Sequence, residues 1–196
     1  MNNKYVNRAK ISEAKFRELV RFFSIDLTAI QIAELTGLNR NTVNRYLTEI
    51  RRKIVRFTEA TSPLITRKIS EEESPDGNQF VILIREQDGR VYTALCDRSD
   101  RSALKEIENR YDLIIDMDTG KHLYKSGNKL HPESSRRKLN RIESFWGNAK
   151  SRLSKFKGMH SSTFRYHLKE CEFRYNNRNE DLYQMLLKIL RNDPLF

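Results

Sequence analysis

The chain has 196 residues, 38% hydrophobic and 32% charged, with 37 Lys and Arg against 26 Asp and Glu and a formal charge of +11. That length holds one ordinary domain plus a small one, and a charge of that sign points to a polyanionic partner, most simply nucleic acid. Two cysteines without CxxC spacing indicate neither a disulfide framework nor a zinc site, no apolar run approaches the ~20 residues of a membrane span, and the basic start MNNKYVNRAK lacks the apolar core of a signal peptide, so a cytoplasmic protein is expected.

Taken in order, Ser12 is placed to cap a first helix reaching about Phe23, with Phe16, Leu19, Val20 and Phe23 inward. Thr28 opens a second, AIQIAELT. Gly37 supplies a turn, and Asn39 caps a third that runs to about Lys53. Ala33 is small where two helices cross, Gly37 falls where the turn needs positive φ, and Val43 follows six residues later on the buried side. With Ile32 and Leu38, this is the helix-turn-helix pattern. On the outer side of the third helix, Arg40, Asn41, Asn44 and Arg45 are able to read base edges. Thr42 and Thr48 suit phosphate contacts, and Arg51, Arg52 and Lys53 continue the basic face.

Thr61-Ser62-Pro63 reads as a linker and divides the chain into residues 1–61 and 62–196. Charge changes there as well. Residues 1–61 carry 12 basic and 6 acidic side chains, 62–135 carry 11 and 14, and 136–196 carry 14 and 6. An acidic middle between basic flanks suits a chain that holds phosphate at both ends and gathers carboxylates between.

Strands are expected over 64–70, 80–86 and 90–96, the last two joined by a Gln87-Asp88-Gly89 hairpin. Ser99 can cap a helix, and DLIIDMD (112–118) reads as a buried strand ending in Asp116 and Asp118. In RKLNRIESFWGNAKSRLSKF (137–156), Ile142, Phe145, Trp146, Ala149, Leu153 and Phe156 share one helical face. Glu143 sits at its edge, and Lys150 follows two turns on, from nearly the same side. The residues alone leave two readings of Glu143 open, a local ion pair or a metal-binding acid beside a phosphate-binding lysine. Helices over 161–175 and 180–191 complete an α/β chain and are expected to cover the sheet.

The run NRIESFWGNAKSRLSKFKGM, with HLKECEFRYNNRNEDLYQMLLKIL after it, resembles the carboxyl-terminal signature of bacterial insertion-sequence transposases of the ISXO-like, DDE-type group. LTAIQIAELTGLNRNTVNRYL resembles their helix-turn-helix, and FVILIREQDGRVYT their second and third strands. The resemblance implies an RNase H-like domain with a mixed sheet over 62–196. It also implies double-stranded DNA as partner, metal-dependent cleavage and strand transfer at transposon ends, and action as a homo-oligomer.

By the same resemblance Glu72, Asp118 and Glu143 are the catalytic and metal-binding acids for Mg²⁺ or Mn²⁺, and Lys150 holds DNA phosphate. Asn140, just before Glu143, lies where the group often has an Asn near the site, and Asp116 remains an alternative to Asp118. This sequence has Glu72-Glu73-Ser74 where the group has Asp-Glu-Ser. The longer side chain moves the carboxylate by roughly one carbon–carbon bond, ~1.5 Å, whereas catalytic constellations tolerate about 0.5 Å. A relative that binds DNA without cutting it is therefore the alternative expectation.

Overall fold

A computed structural model describes residues 3–63, 80–97, 111–117, 122–124, 132–154 and 161–196. In chain order the elements are α1 (Glu13–Ser24), α2 (Ala29–Thr36), α3 (Arg40–Ala60), β1 (Phe80–Gln87), β2 (Arg90–Asp97), β3 (Leu113–Asp116), β4 (His122–Tyr124), α4 (Pro132–Leu153), α5 (Ser161–Asn176) and α6 (Leu182–Asn192). They form two units, Met1–Ala60 with Asn177–Phe196, and Thr61–Asn176. The expected strand at 64–70 and the helix after Ser99 lie outside the described residues.

Local signals set the first three helices. The Ser12 hydroxyl accepts the Lys15 N–H ahead of α1. Thr28 and Gln31 form a reciprocal capping box on α2, an arrangement worth about 1 kcal/mol. Gly37 then takes φ +68°, the left-handed conformation a side chain would oppose. Asn39 Oδ1 accepts the Asn41 N–H at 2.8 Å as α3 begins. The last helix outruns its expected end at Lys53, because Ile54, Val55 and Thr58 prolong the buried stripe. Phe16, Leu19, Val20, Phe23, Ile32 and Val43 are buried as expected from their spacing, and Leu47 and Ile50 join them.

The segment 177–196 completes this helical unit. Asp181 caps α6 by accepting the Gln184 N–H, and the helix packs on α1 and α3 rather than covering the sheet. Its buried residues are Leu186, Leu187 and Leu190, while Leu182, Met185 and Ile189 are only partly covered. Beyond it, Asp193 pairs with Lys53 at 2.5 Å and Arg56 at 3.5 Å. Leu195, fully buried, donates to the Tyr5 carbonyl at 2.9 Å and accepts from Asn7 at 2.8 Å, in a parallel bridge. The expected division at 61/62 counted these residues with the second part of the chain; their packing joins them to the first.

In the second unit the strand order is β2-β1-β3-β4, and all three pairings are antiparallel. A mixed sheet was expected; among its described strands no pairing is parallel. The cause is local for β1 and β2. Asp88 (φ +51°) and Gly89 (φ +83°) both take left-handed conformations, as a two-residue type I′ hairpin requires. The three-residue β4 has no counterpart in the sequence reading.

Strand pleating sorts the side chains by face. Phe80, Ile82, Ile84, Val91, Leu113 and Ile115 pack against Ile142, Phe145, Trp146 and Ala149 of α4 and Phe164, Leu168 and Cys171 of α5. The opposite face carries Val81, Leu83, Ala94, Cys96 and Tyr111, also buried, with Ile114 against them. At about 1.5–3 kcal/mol for each large apolar side chain, these two layers are the main stabilising term of the unit.

The helix α5 has a second task. β2 ends the strand order, leaving alternate peptide groups facing away from β1, and exposed edges invite pairing with other chains. The Asn176 side chain accepts the Val91 N–H at 2.8 Å and donates to the Val91 carbonyl at 2.7 Å. Glu172 Oε2 accepts the Thr93 N–H at 2.8 Å and its hydroxyl at 2.7 Å, and Lys169 donates to the Thr93 carbonyl and to Glu172. The KECEFRYN segment thus covers a strand edge with buried, mutually satisfied charges.

Candidate nucleic-acid interface

The outer face of α3 follows from its buried one. Val43, Tyr46, Leu47 and Ile50 turn inward. At 100° per residue, that leaves Arg40, Asn41, Thr42, Asn44 and Arg45 all exposed. These five were the residues expected to meet DNA, and the fold gathers them on the first turns of one capped helix. Positive and amide side chains at a helix start are suited to phosphate oxygens and major-groove base edges.

Farther along α3 the expected basic face breaks up. Arg51 lies over the Phe23 ring, 5.5 Å from its centroid. Arg52 pairs with Glu49, and Lys53 is buried against Asp193. These cations are committed to holding the unit together. The partners of Arg51 and Lys53 lie in α1 and beyond α6, where no local pattern marks them, whereas Glu49 stands one turn before Arg52 in α3 itself.

Arg45 has a neighbour that the sequence reading missed. Its guanidinium lies 4.2 Å from the centroid of the Phe196 ring. That ring also meets Tyr46 edge-on at 5.9 Å, and Tyr46 in turn packs on Phe16 at 5.6 Å. Burial raises the Tyr46 hydroxyl above its ordinary value of 10.0, with the adjacent Arg45 charge acting in the opposite direction. A contact between positions 45 and 196 has no sequence-local signature.

In the sheet unit the candidate residues lie along α4, whose two flanks differ. On one, Arg141 pairs with Glu86 at 2.5 Å and Arg152 with Glu170 at 2.6 Å. The Arg141 carbonyl also accepts from the Tyr175 hydroxyl at 3.0 Å. The other flank presents Asn140, Glu143 and Lys150, all exposed and without an ion-pair partner among the described residues. An i, i+7 spacing differs by only about 20° around the axis, so Glu143 and Lys150 share one side as expected.

Of the other expected acids, Glu72 and Asp118 lie outside the described residues. Asp116 follows Ile114 on the sheet face opposite Leu113 and Ile115, hence away from the face that packs on α4. Among the described residues no three His, Cys, Asp or Glu side chains converge on a metal-sized site. The described part of the expected donor set is the single Glu143 carboxylate. No helix among the described residues is long and apolar enough to cross a membrane.

The chain matches no protein-family model and no solved structure. Over 67 residues it is 36% identical to an uncharacterized transposase-like protein of Haemophilus influenzae, a segment covering 34% of this chain and 53% of that one. The chain thus spans about half the length of this relative. The similarity supports a relationship to transposase-like proteins and does not single out one transposase group.

Proposed function

We propose that the chain is a DNA-binding transposase. In this reading its helical unit is a helix-turn-helix module that docks α3 in the major groove. Arg40, Asn41, Asn44 and Arg45 read bases, and Thr42 contacts phosphate. The observation that carries it is the exposure of all five side chains together at the start of α3, after a left-handed Gly37 turn. The transposase-like relative agrees with it.

The second half of the proposal rests on the resemblance of the α4 segment. It assigns an RNase H-like core in which Glu72, Asp118 and Glu143 hold Mg²⁺ or Mn²⁺, with Lys150 on a DNA phosphate. Paired divalent ions, when bound, stabilise the attacking and leaving oxygens of an in-line phosphoryl displacement. What the chain's own residues contribute is position. Arg141 and Arg152 fix one flank of α4, so the opposite flank holds Glu143 and Lys150 at a set orientation. Strand transfer at transposon ends by a homo-oligomer in the cytoplasm is the activity this reading assigns.

Two measurements test the proposal. Replacing Arg45 by Ala should weaken specific duplex binding at least about tenfold more than Arg191→Ala; equal losses in a binding titration would remove α3 as the reading helix. Nicking and strand transfer on the element's own ends, with Mg²⁺ or Mn²⁺, should be present in the wild type and abolished by Glu143→Gln. A second reading, favoured by Glu72 standing where the resembling group has Asp, is a relative that binds DNA specifically without cutting it. Specific binding with no cleavage by either protein selects that reading.

A further inference from the structure

The Phe196 ring meets the outer face of α3 at Arg45, among the five exposed side chains of its first turns. Three attachments set its place. Leu195 is bonded between Tyr5 and Asn7, Asp193 holds Lys53 and Arg56 of α3, and the ring itself packs edge-on against Tyr46. Yet 47% of Phe196 remains exposed. It is therefore a fixed platform at the surface rather than a core residue.

A guanidinium over a ring face is held by the ring's negative quadrupole while its in-plane N–H donors point outward. Those donors are the fork that binds guanine O6 and N7. An exposed arginine otherwise samples many rotamers and loses that freedom on binding. Arg40, also exposed on α3, has no ring or ion-pair partner among the described residues. Only one of the two arginines on this face is pre-set.

We propose that Phe196 is a specificity-determining positioning residue, whose ring presents the Arg45 guanidinium to the edge of a single guanine in duplex DNA. The inference rests on α3 being the reading helix and goes beyond it by assigning one residue, far away in sequence, to one base pair. Phe196 touches no base itself and acts through Arg45.

The test begins with the full chain selecting its site from a randomised duplex pool. Dissociation constants are then measured for that site and for each single base-pair change, using wild type, Phe196→Leu, Phe196→Tyr, Arg45→Lys and the Phe196→Leu/Arg45→Lys pair. Phe196→Leu should lower discrimination at the Arg45-dependent base pair about 3- to 10-fold, with other positions and the salt dependence unchanged. Phe196→Tyr should retain it. Once Arg45→Lys has removed the fork, adding Phe196→Leu should cost nothing further at that base pair.

Undiminished discrimination in Phe196→Leu, an equal loss at every position, or additive losses in the double variant each overturn the proposal while leaving α3 as the reader. A wild-type chain that selects no sequence overturns the reading of α3 and this inference together.

Discussion

The two units of this chain are held by different kinds of force. The helical unit rests on an apolar core of Phe16, Leu19, Phe23, Ile32, Val43 and Ile50, closed by caps that neighbouring residues supply. In the sheet unit an apolar core is joined by fully buried charges. Glu170 (0% exposed) meets Arg152 and Arg174, and Glu172 (1%) meets Lys169 and Thr93. A buried ion is tolerated only while its partners are in place. Local caps thus start the helices of the first unit, which Asp193 and Leu195 close from far along the chain, and buried polar contacts lock the second.

The largest expected effect comes from breaking that lock. Glu172→Leu leaves the buried Lys169 ammonium without its carboxylate and should destabilise the sheet unit by about 3–5 kcal/mol. Hydrogen exchange would show faster amides in β1 and β2 with α1–α3 little changed; a uniform change would erase the contrast between the units. A smaller loss is expected where the helical unit depends on a local cap. Thr28→Ala removes the hydroxyl that accepts the Gln31 N–H and leaves only the backbone bond from residue 28 to the Gln31 side chain, so it should destabilise by about 1 kcal/mol, read as a lower urea midpoint. The same substitution should leave β1 and β2 exchange untouched.

The smallest effect is a pH dependence. Burial raises the Tyr46 hydroxyl in the folded chain, so its contribution is fully present below the unfolded value near pH 10 and is lost as pH rises through the higher folded value. The wild-type melting midpoint should fall more steeply above about pH 10 than that of Tyr46→Phe. Parallel curves would mean that this hydroxyl is as well solvated folded as unfolded.

What could be read from the sequence follows the same division. Ser12, Thr28, Gly37 and Asp88-Gly89 act within a few residues of themselves, so the helix starts and the hairpin were legible. The apolar stripe of α4 was equally plain, as was the exposure of Arg40, Asn41, Thr42, Asn44 and Arg45. Periodicity shows that a helix has an inward face but not whose core receives it, and so α6 was assigned to the wrong neighbours. A run such as Arg51-Arg52-Lys53 looks like a solvated face until Asp193 arrives from far along the chain. For the candidate site, spacing placed Glu143 and Lys150 together, while strand alternation, visible only once β3 was fixed against β1, turned Asp116 to the other side.

One consequence concerns the order in which the molecule is made. Helices α1 to α3 leave the ribosome first, but α6, Asp193 and the ring beside Arg45 follow only after the whole sheet unit has been translated. A polypeptide stopped anywhere inside that insert carries α3 without the pieces that seal it. Nascent or prematurely ended chains therefore display α3 with Lys53 and Arg45 lacking the partners they have in the finished fold.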